Sequence, residues 1–193
     1  MDPDAYLCQL AEIFNGISVN TPSLSAIIAI ILAGLLLLAS GFASASEIAF
    51  FSLSPSDLND IEEGNHPSDG KISNLLADSE RLLATILITN NFVNVTIIML
   101  CNFFFMNVFV FHSPLAEFLI LTVILTFLLL LFGEIMPKIY SAQKTLAFCR
   151  FSAPVIYVLR KVFAPISAVL VHSTAFLNKH FAKKNHNISV DEL

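Results

Sequence analysis

The sequence predicts an all-α integral membrane protein with three transmembrane helices and further helices lying in the cytoplasmic-side membrane interface. Of its 193 residues, 56% are hydrophobic and only 13% are charged, whereas ordinary soluble domains carry about 25% charged residues. The apolar residues form three long runs that contain no Asp, Glu, Lys or Arg. Basic residues, by contrast, are concentrated after the third run. The fold class follows from these three observations together.

Each apolar run can supply one membrane-spanning helix, because crossing a hydrocarbon core of about 30 Å takes roughly 20 apolar residues. The charge-free runs are residues 26–46, 82–116 and 118–133. They predict spans over about 24–53, 82–111 and 115–137, the third continuing past Glu134. Buried core helices of a soluble protein are the alternative, but three such helices would leave almost nothing to cover them.

The charge distribution predicts the orientation of the chain in an inner (plasma) membrane. Residues 1–22 carry three acidic and no basic residues, and they lack the positive start of a signal peptide. By the positive-inside rule, the N-terminus and the 112–117 link lie outside, whereas residues 54–81 and the basic C-terminal part lie in the cytoplasm. Residues 1–22 are thus an extracytoplasmic segment, within which residues 4–16 are compatible with a short surface helix.

Two segments next to the spans are expected to lie in the inner interface. In residues 54–81, Ser54-Pro55-Ser56-Asp57 predicts a helix N-cap and Gly64-Asn65-His66-Pro67 a break. Residues 140–182 mix apolar and basic side chains, which predicts interfacial helices. A fourth span is the alternative there, although Arg160-Lys161 near its middle would be costly. Residues 183–193 are predicted to be a linker.

Other classes of site find little support in the sequence. Cys8, Cys101 and Cys149 are widely spaced and odd in number, which favours small apolar fillers over a metal site or a disulfide framework. There is no Gly-rich phosphate loop and no basic, aromatic patch for nucleic acid, so no nucleic-acid partner is expected.

Polar residues inside the three spans are the candidate functional residues, because polar groups are expensive in a bilayer. Those of the first span fall at i, i+4 and i+7 on one helix face, and two asparagines of the second span are i and i+4. The third span carries its polar pair at the inner end, followed by a proline that should distort the helix. The residues are Ser40, Ser44 and Glu47; Asn90, Asn91 and Asn94; and Gly133, Glu134, Pro137 and Lys138.

These groups offer hydroxyl, amide and carboxylate oxygens without an accompanying His or Cys. Such a set suits Mg²⁺ or Ca²⁺ rather than Zn²⁺ or Cu²⁺, and a distorted third span could add backbone carbonyls. Several alternatives stay open. Ser and Asn in spans often serve as hydrogen-bonding glue between helices. Glu47 could lie at the inner boundary, and Lys138 could either neutralise Glu134 or extend to the head groups.

Three motifs, in order, resemble the CorC and cyclin M (CNNM) family of divalent-metal transport mediators. They are Ser40-Gly-Phe-Ala-Ser44-Ala-Ser46-Glu47, the stretch from Leu82 to Asn94 that contains Thr89-Asn90-Asn91, and Phe132-Gly133-Glu134-Ile-Met-Pro137-Lys138. The resemblance covers about residues 24–180, the family's transmembrane domain. One departure is Thr89, where the family often has Gly.

The resemblance implies a homodimer in the lipid bilayer, with three spans per subunit and a cytoplasmic belt of helices. It implies Mg²⁺ as the transported ion and, in some members, export coupled to Na⁺. Full-length members continue into a CBS-type regulatory domain, which we expect to follow residues 183–193. The metal ligands that carry over are Ser40, Ser44, Asn90, Asn94, Gly133 and Glu134, with Glu47, Asn91, Pro137 and Lys138 supporting them.

The resulting hypothesis is a Mg²⁺ transporter domain, with Na⁺-coupled efflux by alternating access and the cation held between three helices. A membrane-embedded, Mg²⁺-responsive scaffold or sensor that does not itself transport is the alternative. An intramembrane serine protease would need a His or Lys to activate a serine within the spans. The histidines near a span are His112, at the outer edge, and His172, beyond the third span; neither is placed to reach Ser40 or Ser44, so no enzyme is expected.

Overall fold

A computed structural model of the chain describes residues 18–110 and 114–171, and helices account for nearly all of them. The helix expected over residues 4–16, the turn at His112-Ser113 and the linker 183–193 lie outside the described residues. Two short strands, Ser18–Val19 and Phe109–Val110, pair antiparallel. The helices are Leu24–Phe51, Pro55–Glu62, Asp69–Leu76, Ser79–Val108, Pro114–Leu128, the π-helix Leu129–Ile135, Met136–Gln143, Thr145–Val162 and Ala164–Val171.

Three helical stretches are long and apolar enough to cross a membrane: Leu24–Phe51, Ser79–Val108 and Glu117–Gln143. The all-α membrane fold is therefore confirmed, and these stretches are called the first, second and third spans below. The second helix begins at Ser79, where the carboxylate of Asp78 accepts a hydrogen bond from the Arg81 amide at 3.2 Å. It ends at Val108 because the next two residues pair with Ser18–Val19.

The third span changes its helical type near its C-terminal end. It is α-helical over Pro114–Leu128, π-helical over Leu129–Ile135 and α-helical again from Met136. A proline has no N–H and crowds the carbonyl four residues earlier, so the wider π turn accommodates Pro137 without a break. The distortion expected at this proline is confirmed, and it extends further toward the N-terminus than the proline alone would suggest.

Helices Thr145–Val162 and Ala164–Val171 together satisfy the same test of length and apolarity, but they meet at 80°. Such a bend means that they do not form a straight fourth span. Arg160 and Lys161 lie in the last turn of the longer helix, directly before the bend. The charged pair that made a fourth span costly therefore falls beside the bend at Phe163, and the Phe163 amide still donates to Leu159.

The chain divides into two compact units. The first comprises Met1–Phe42 and Asn91–Ile139, and the second Ala43–Asn90 and Tyr140–Leu193. All three spans contribute residues to both. The core of the first unit is a cluster of small and aliphatic side chains from all three spans: Ala33, Val93, Ile97, Cys101 and Leu125. Burial of Cys101 agrees with its expected role as an apolar filler.

The second unit is built largely from short helices. Helix Pro55–Glu62 opens with a capping box between Ser54 and Asp57 and has a proline in its first turn, so the N-cap read from the sequence is confirmed. The break after this helix is also confirmed, because Gly64 has φ = 69°, a conformation that favours glycine. Helices Asp69–Leu76 and Thr145–Val162 then pack together around Ile72, Leu75, Cys149 and Ile156, all fully buried.

Candidate cation site in the membrane spans

Ser40 lies where all three spans of the first unit meet. Its side chain is fully buried, and its hydroxyl donates to Oδ1 of Asn94 in the second span at 2.6 Å. On the third span, a Cβ added to Gly133 would lie 3.1 Å from the Ser40 oxygen. Three of the predicted site residues, one from each span, therefore lie side by side inside the protein.

The π-helix beside Ser40 alters the hydrogen bonding of the third-span backbone. The Met136 amide donates to the carbonyl of Leu131, five residues earlier. In the same pattern residue 137 would donate to Phe132, but Pro137 has no N–H. The Phe132 carbonyl therefore lacks this donor. Isolated π segments within α-helices are frequent at functional sites, and a carbonyl without its helical donor is a potential oxygen ligand for a hard cation.

Glu134 follows Gly133 within the π-helix and is half-buried. It is the one carboxylate that the described part of the third span carries after Glu117. Asn91 of the second span is exposed, while Pro137 and Lys138 are half-buried. These four residues belong to the first unit, as do Ser40, Asn94 and Gly133.

Ser44 belongs to the second unit and has an unusual side chain. It is fully buried, yet its hydroxyl has no hydrogen-bond partner among the described residues. Leaving a buried hydroxyl unsatisfied costs about 1–3 kcal/mol. Such an atom in a native fold commonly marks a place for water or an ion. Ser44 thus has an oxygen available to a ligand.

Asn90 and Glu47 also lie in the second unit, and both are half-buried with interactions of their own. Nearby, the Ser141 hydroxyl donates to the carbonyl of Ala45 at 2.6 Å. The first-span backbone one residue after Ser44 is therefore held by a side chain from the helix that continues the third span. No sequence pattern indicates this contact, because a lone serine at the start of an amphipathic region has no distinctive spacing.

The chemistry of the described donors is that of a hard-cation site. Over residues 18–110 and 114–171, no group of three or more His, Cys, Asp or Glu side chains is positioned to hold a metal ion. The oxygens found at the candidate site are instead the Ser40 hydroxyl and the Asn94 amide oxygen, with the Phe132 carbonyl beside the adjacent Gly41. These oxygens suit Mg²⁺ and Ca²⁺, and a neighbouring carboxylate would supply the charge.

A separate groove of about 430 Å³ lies in the first unit beside the N-terminal half of the third span, lined by side chains such as Ile98, Asn102, Glu117 and Leu125. None of the predicted ligands lines it. Its wall is mainly apolar and formed by the second and third spans, with polar side chains at Asn102, Glu117, Thr122 and Thr126. The hydroxyl and amide at Ser40 differ in that they bond each other directly and come from two spans, with the third span packed beside them.

A buried ion pair outside the spans was missed by the sequence analysis. Asp69 is fully buried and accepts from Arg150 Nε at 2.8 Å and Nη2 at 3.0 Å. Its carboxylate also accepts from the His66 amide at 2.9 Å. The bonds from Arg150 hold the pKa of Asp69 below its ordinary value, with a smaller contribution from the His66 amide. Two charged residues 81 positions apart give no local pattern from which to infer such a pair.

Comparison with known proteins is consistent with this geometry. The profile of the cyclin M transmembrane N-terminal domain (CNNM) matches residues 30–193. The chain belongs to the cyclin M family. It is also 32% identical over 130 residues to a UPF0053 protein of Haemophilus influenzae. That match covers 67% of the present chain and 30% of the relative.

Membership of the cyclin M family confirms the resemblance carried by the three motifs. The chain is thus an all-α membrane domain of a family associated with divalent-cation transport. The family match begins within the first span and includes every residue in the candidate site. Because the chain spans under a third of the Haemophilus relative, the activity of a whole relative does not transfer directly to it.

Proposed function

We propose that this chain is the transmembrane domain of a Mg²⁺ transporter that binds the ion between its three spans. The observation that carries the proposal is the meeting at Ser40, where Asn94 Oδ1 lies 2.6 Å from the serine oxygen and Gly133 of the π-helix packs against it. Glu134 would supply the charge that offsets the cation. The sequence-predicted ligands Ser44 and Asn90 would add a hydroxyl, which has no hydrogen-bond partner among the described residues, and a second amide.

Mg²⁺ gives up its water reluctantly, so a site that strips the ion must provide several oxygens and at least part of a countercharge. A hydroxyl, two amides, carbonyls released by the π-helix and one carboxylate meet that requirement. Transport then follows alternating access, with release toward the extracytoplasmic side. Coupling to Na⁺ supplies the driving force, since the inward Na⁺ gradient can drive an export step.

The proposed setting is the inner (plasma) membrane, with the N-terminus outside and the basic C-terminal part in the cytoplasm. We further propose that the chain works as a homodimer. Chemical cross-linking in native membranes tests the dimer directly: a product of twice the chain mass supports it, and a purely monomeric pattern contradicts it.

A flux assay tests the proposal. The chain is reconstituted in liposomes with a Mg²⁺-sensitive dye, and flux is followed with and without an opposing Na⁺ gradient. Asn94→Ala removes a proposed ligand. Asn107→Ala is its matched control, because the Asn107 amide donates to its own helix at Phe103, 2.8 Å away. We expect the Mg²⁺ flux to depend on Na⁺, to fall at least about tenfold in Asn94→Ala and to persist in Asn107→Ala. Equal flux in both variants contradicts the ligand role of Asn94.

One observation favours the alternative of a Mg²⁺-responsive scaffold or sensor. The direct hydrogen bond between Ser40 and Asn94 is the kind of contact that holds membrane helices together. In that case the protein binds Mg²⁺ but moves none. Saturable Mg²⁺ binding in detergent, together with liposomes that show no flux under any Na⁺ gradient, would favour the scaffold over the transporter.

A further inference from the structure

Gly41 makes the closest approach between the first and third spans within the first unit. It is buried, and a Cβ added there would lie 2.9 Å from Cγ of Pro137 and 3.2 Å from the Phe132 carbonyl oxygen. Ordinary contacts of this kind are about 3.5–4.0 Å. Neither neighbour can yield by rotating a flexible side chain, because one is a proline ring and the other is backbone. Only a hydrogen at position 41 allows this separation.

A reciprocal contact lies one helical position away. Gly133 of the third span faces Ser40 of the first, and its added Cβ would lie 3.1 Å from the serine oxygen. The two glycines thus bring the spans together at the level of the candidate ligands. Gly34, on the same first-span helix, has nothing within 4 Å of its added Cβ, so close packing is not a property of every glycine there.

We propose that Gly41 is a specificity-determining residue that sets the separation of the first and third spans, and so the distances between the candidate ligands, to suit Mg²⁺. This inference rests on the proposed function. Mg²⁺–oxygen distances are about 2.0–2.1 Å and Ca²⁺–oxygen distances about 2.3–2.6 Å. A methyl group at position 41 requires the third span to retreat by roughly 0.6–1.1 Å to restore ordinary contact. That retreat exceeds the difference between the two ions, and it moves Gly133 and Glu134 away from Ser40.

Metal affinity in the Gly41→Ala variant tests the proposal, with Gly34→Ala as the matched control. Mg²⁺ and Ca²⁺ dissociation constants are measured by calorimetry on the purified 193-residue chain. We expect Gly41→Ala to weaken Mg²⁺ binding by about 10- to 100-fold and to shift the preference toward Ca²⁺. Gly34→Ala should retain both affinities. Equal losses for the two ions, or unchanged Mg²⁺ affinity in Gly41→Ala, overturn the proposal.

A second measurement, made without Mg²⁺, isolates the packing contact. Melting temperatures are compared for Gly41→Ala, Pro137→Ala and the double variant. If the alanine methyl meets the proline ring, the double variant recovers part of the loss in Gly41→Ala, or regains folding if that variant fails to fold. Strictly additive losses overturn the contact. If the wild-type chain shows no saturable Mg²⁺ binding, both the proposed function and the role of Gly41 in selectivity are overturned. The melting temperatures still decide whether residues 41 and 137 are coupled.

Discussion

The ion pair between Asp69 and Arg150 allows a quantitative prediction for the second unit. Asp69→Asn keeps the shape of the side chain but removes its charge. It also turns one acceptor of the arginine fork into an NH₂ group. Arg150 remains 24% exposed and Asp69 is 1% exposed, so the guanidinium left behind is largely withdrawn from water. Helices Asp69–Leu76 and Thr145–Val162 are the elements that this pair joins.

Breaking a buried ion pair by removing one partner costs about 3–5 kcal/mol. Because Arg150 retains some contact with solvent, we take the lower end, about 3 kcal/mol. At roughly 2–4 °C per kcal/mol for a chain of this size, the melting temperature should fall by about 6–12 °C. Unfolding in detergent, followed by circular dichroism at neutral pH, measures the change.

Asp78→Asn is the matched control. Asp78 lies 3.6 Å from Arg81, and the two side chains are 43% and 42% exposed. Exposed pairs contribute about 0–1 kcal/mol, so this variant should melt within a few degrees of the wild type. If the melting temperatures of both variants fall by the same amount, or if that of Asp69→Asn does not fall, the Asp69–Arg150 pair is not the link between these helices.

The pH dependence of the stability difference between wild type and Asp69→Asn gives an independent check. Because Arg150 lowers the pKa of Asp69 in the folded state, the pair's contribution is complete above the unfolded pKa of about 3.9. It disappears as the pH falls through the lower folded pKa. The gap between wild type and Asp69→Asn should therefore stay constant from neutral pH to about pH 4 and narrow below it. A gap that narrows between pH 7 and pH 5 would contradict this reasoning.

Two substitutions test individual ligands of the proposed site. Glu134→Gln removes the one countercharge of the set and should abolish Mg²⁺ binding by calorimetry while cross-linking still detects the dimer; unchanged binding would remove Glu134 from the site. Ser44→Ala deletes a buried hydroxyl that has no described partner, so thermal stability should be unchanged or higher while Mg²⁺ affinity falls. Lower stability with normal affinity would assign the hydroxyl a structural role instead.

The membrane architecture could be predicted from the sequence because its signals are long and local. Three charge-free runs define three spans, and a bilayer-length helix tolerates few alternatives. The cap at Ser54 and the break at Gly64 were equally accessible, since each depends on a few adjacent residues. The ends of the second span were less so, because Phe109-Val110 leaves the helix to pair with a strand 91 positions earlier in the chain.

The packing of the site was harder to predict than its composition. The spacings of Ser40 with Ser44 and of Asn90 with Asn94 indicated two helix faces, but not that Ser40 and Asn94 bond directly. Pro137 predicted a distortion, but not its form, because the seven-residue π-helix depends on how the third span packs. In the sequence Gly41 is recognisable only as part of a motif, because local periodicity does not show which residues of another helix contact a glycine. Contacts between distant segments are set by tertiary packing, which one sequence does not encode locally.

The hydrogen bond between Ser40 and Asn94 bears on whether a packing contact can also be an ion site. A serine hydroxyl has one proton and two acceptor lone pairs, and an amide oxygen has two lone pairs. When the Ser40 proton points at Asn94 Oδ1, this bond uses one lone pair of the amide oxygen and none of the serine oxygen. In the proposed site the bond orients the two ligands in advance, which reduces the ordering cost of binding. Asn94→Ala removes this acceptor from the fully buried Ser40 hydroxyl, which should cost about 1–3 kcal/mol of stability. Stability and Mg²⁺ affinity are therefore measured together. A variant that stays folded but loses Mg²⁺ affinity supports a ligand role, whereas lower stability with normal affinity supports an interhelical hydrogen bond alone.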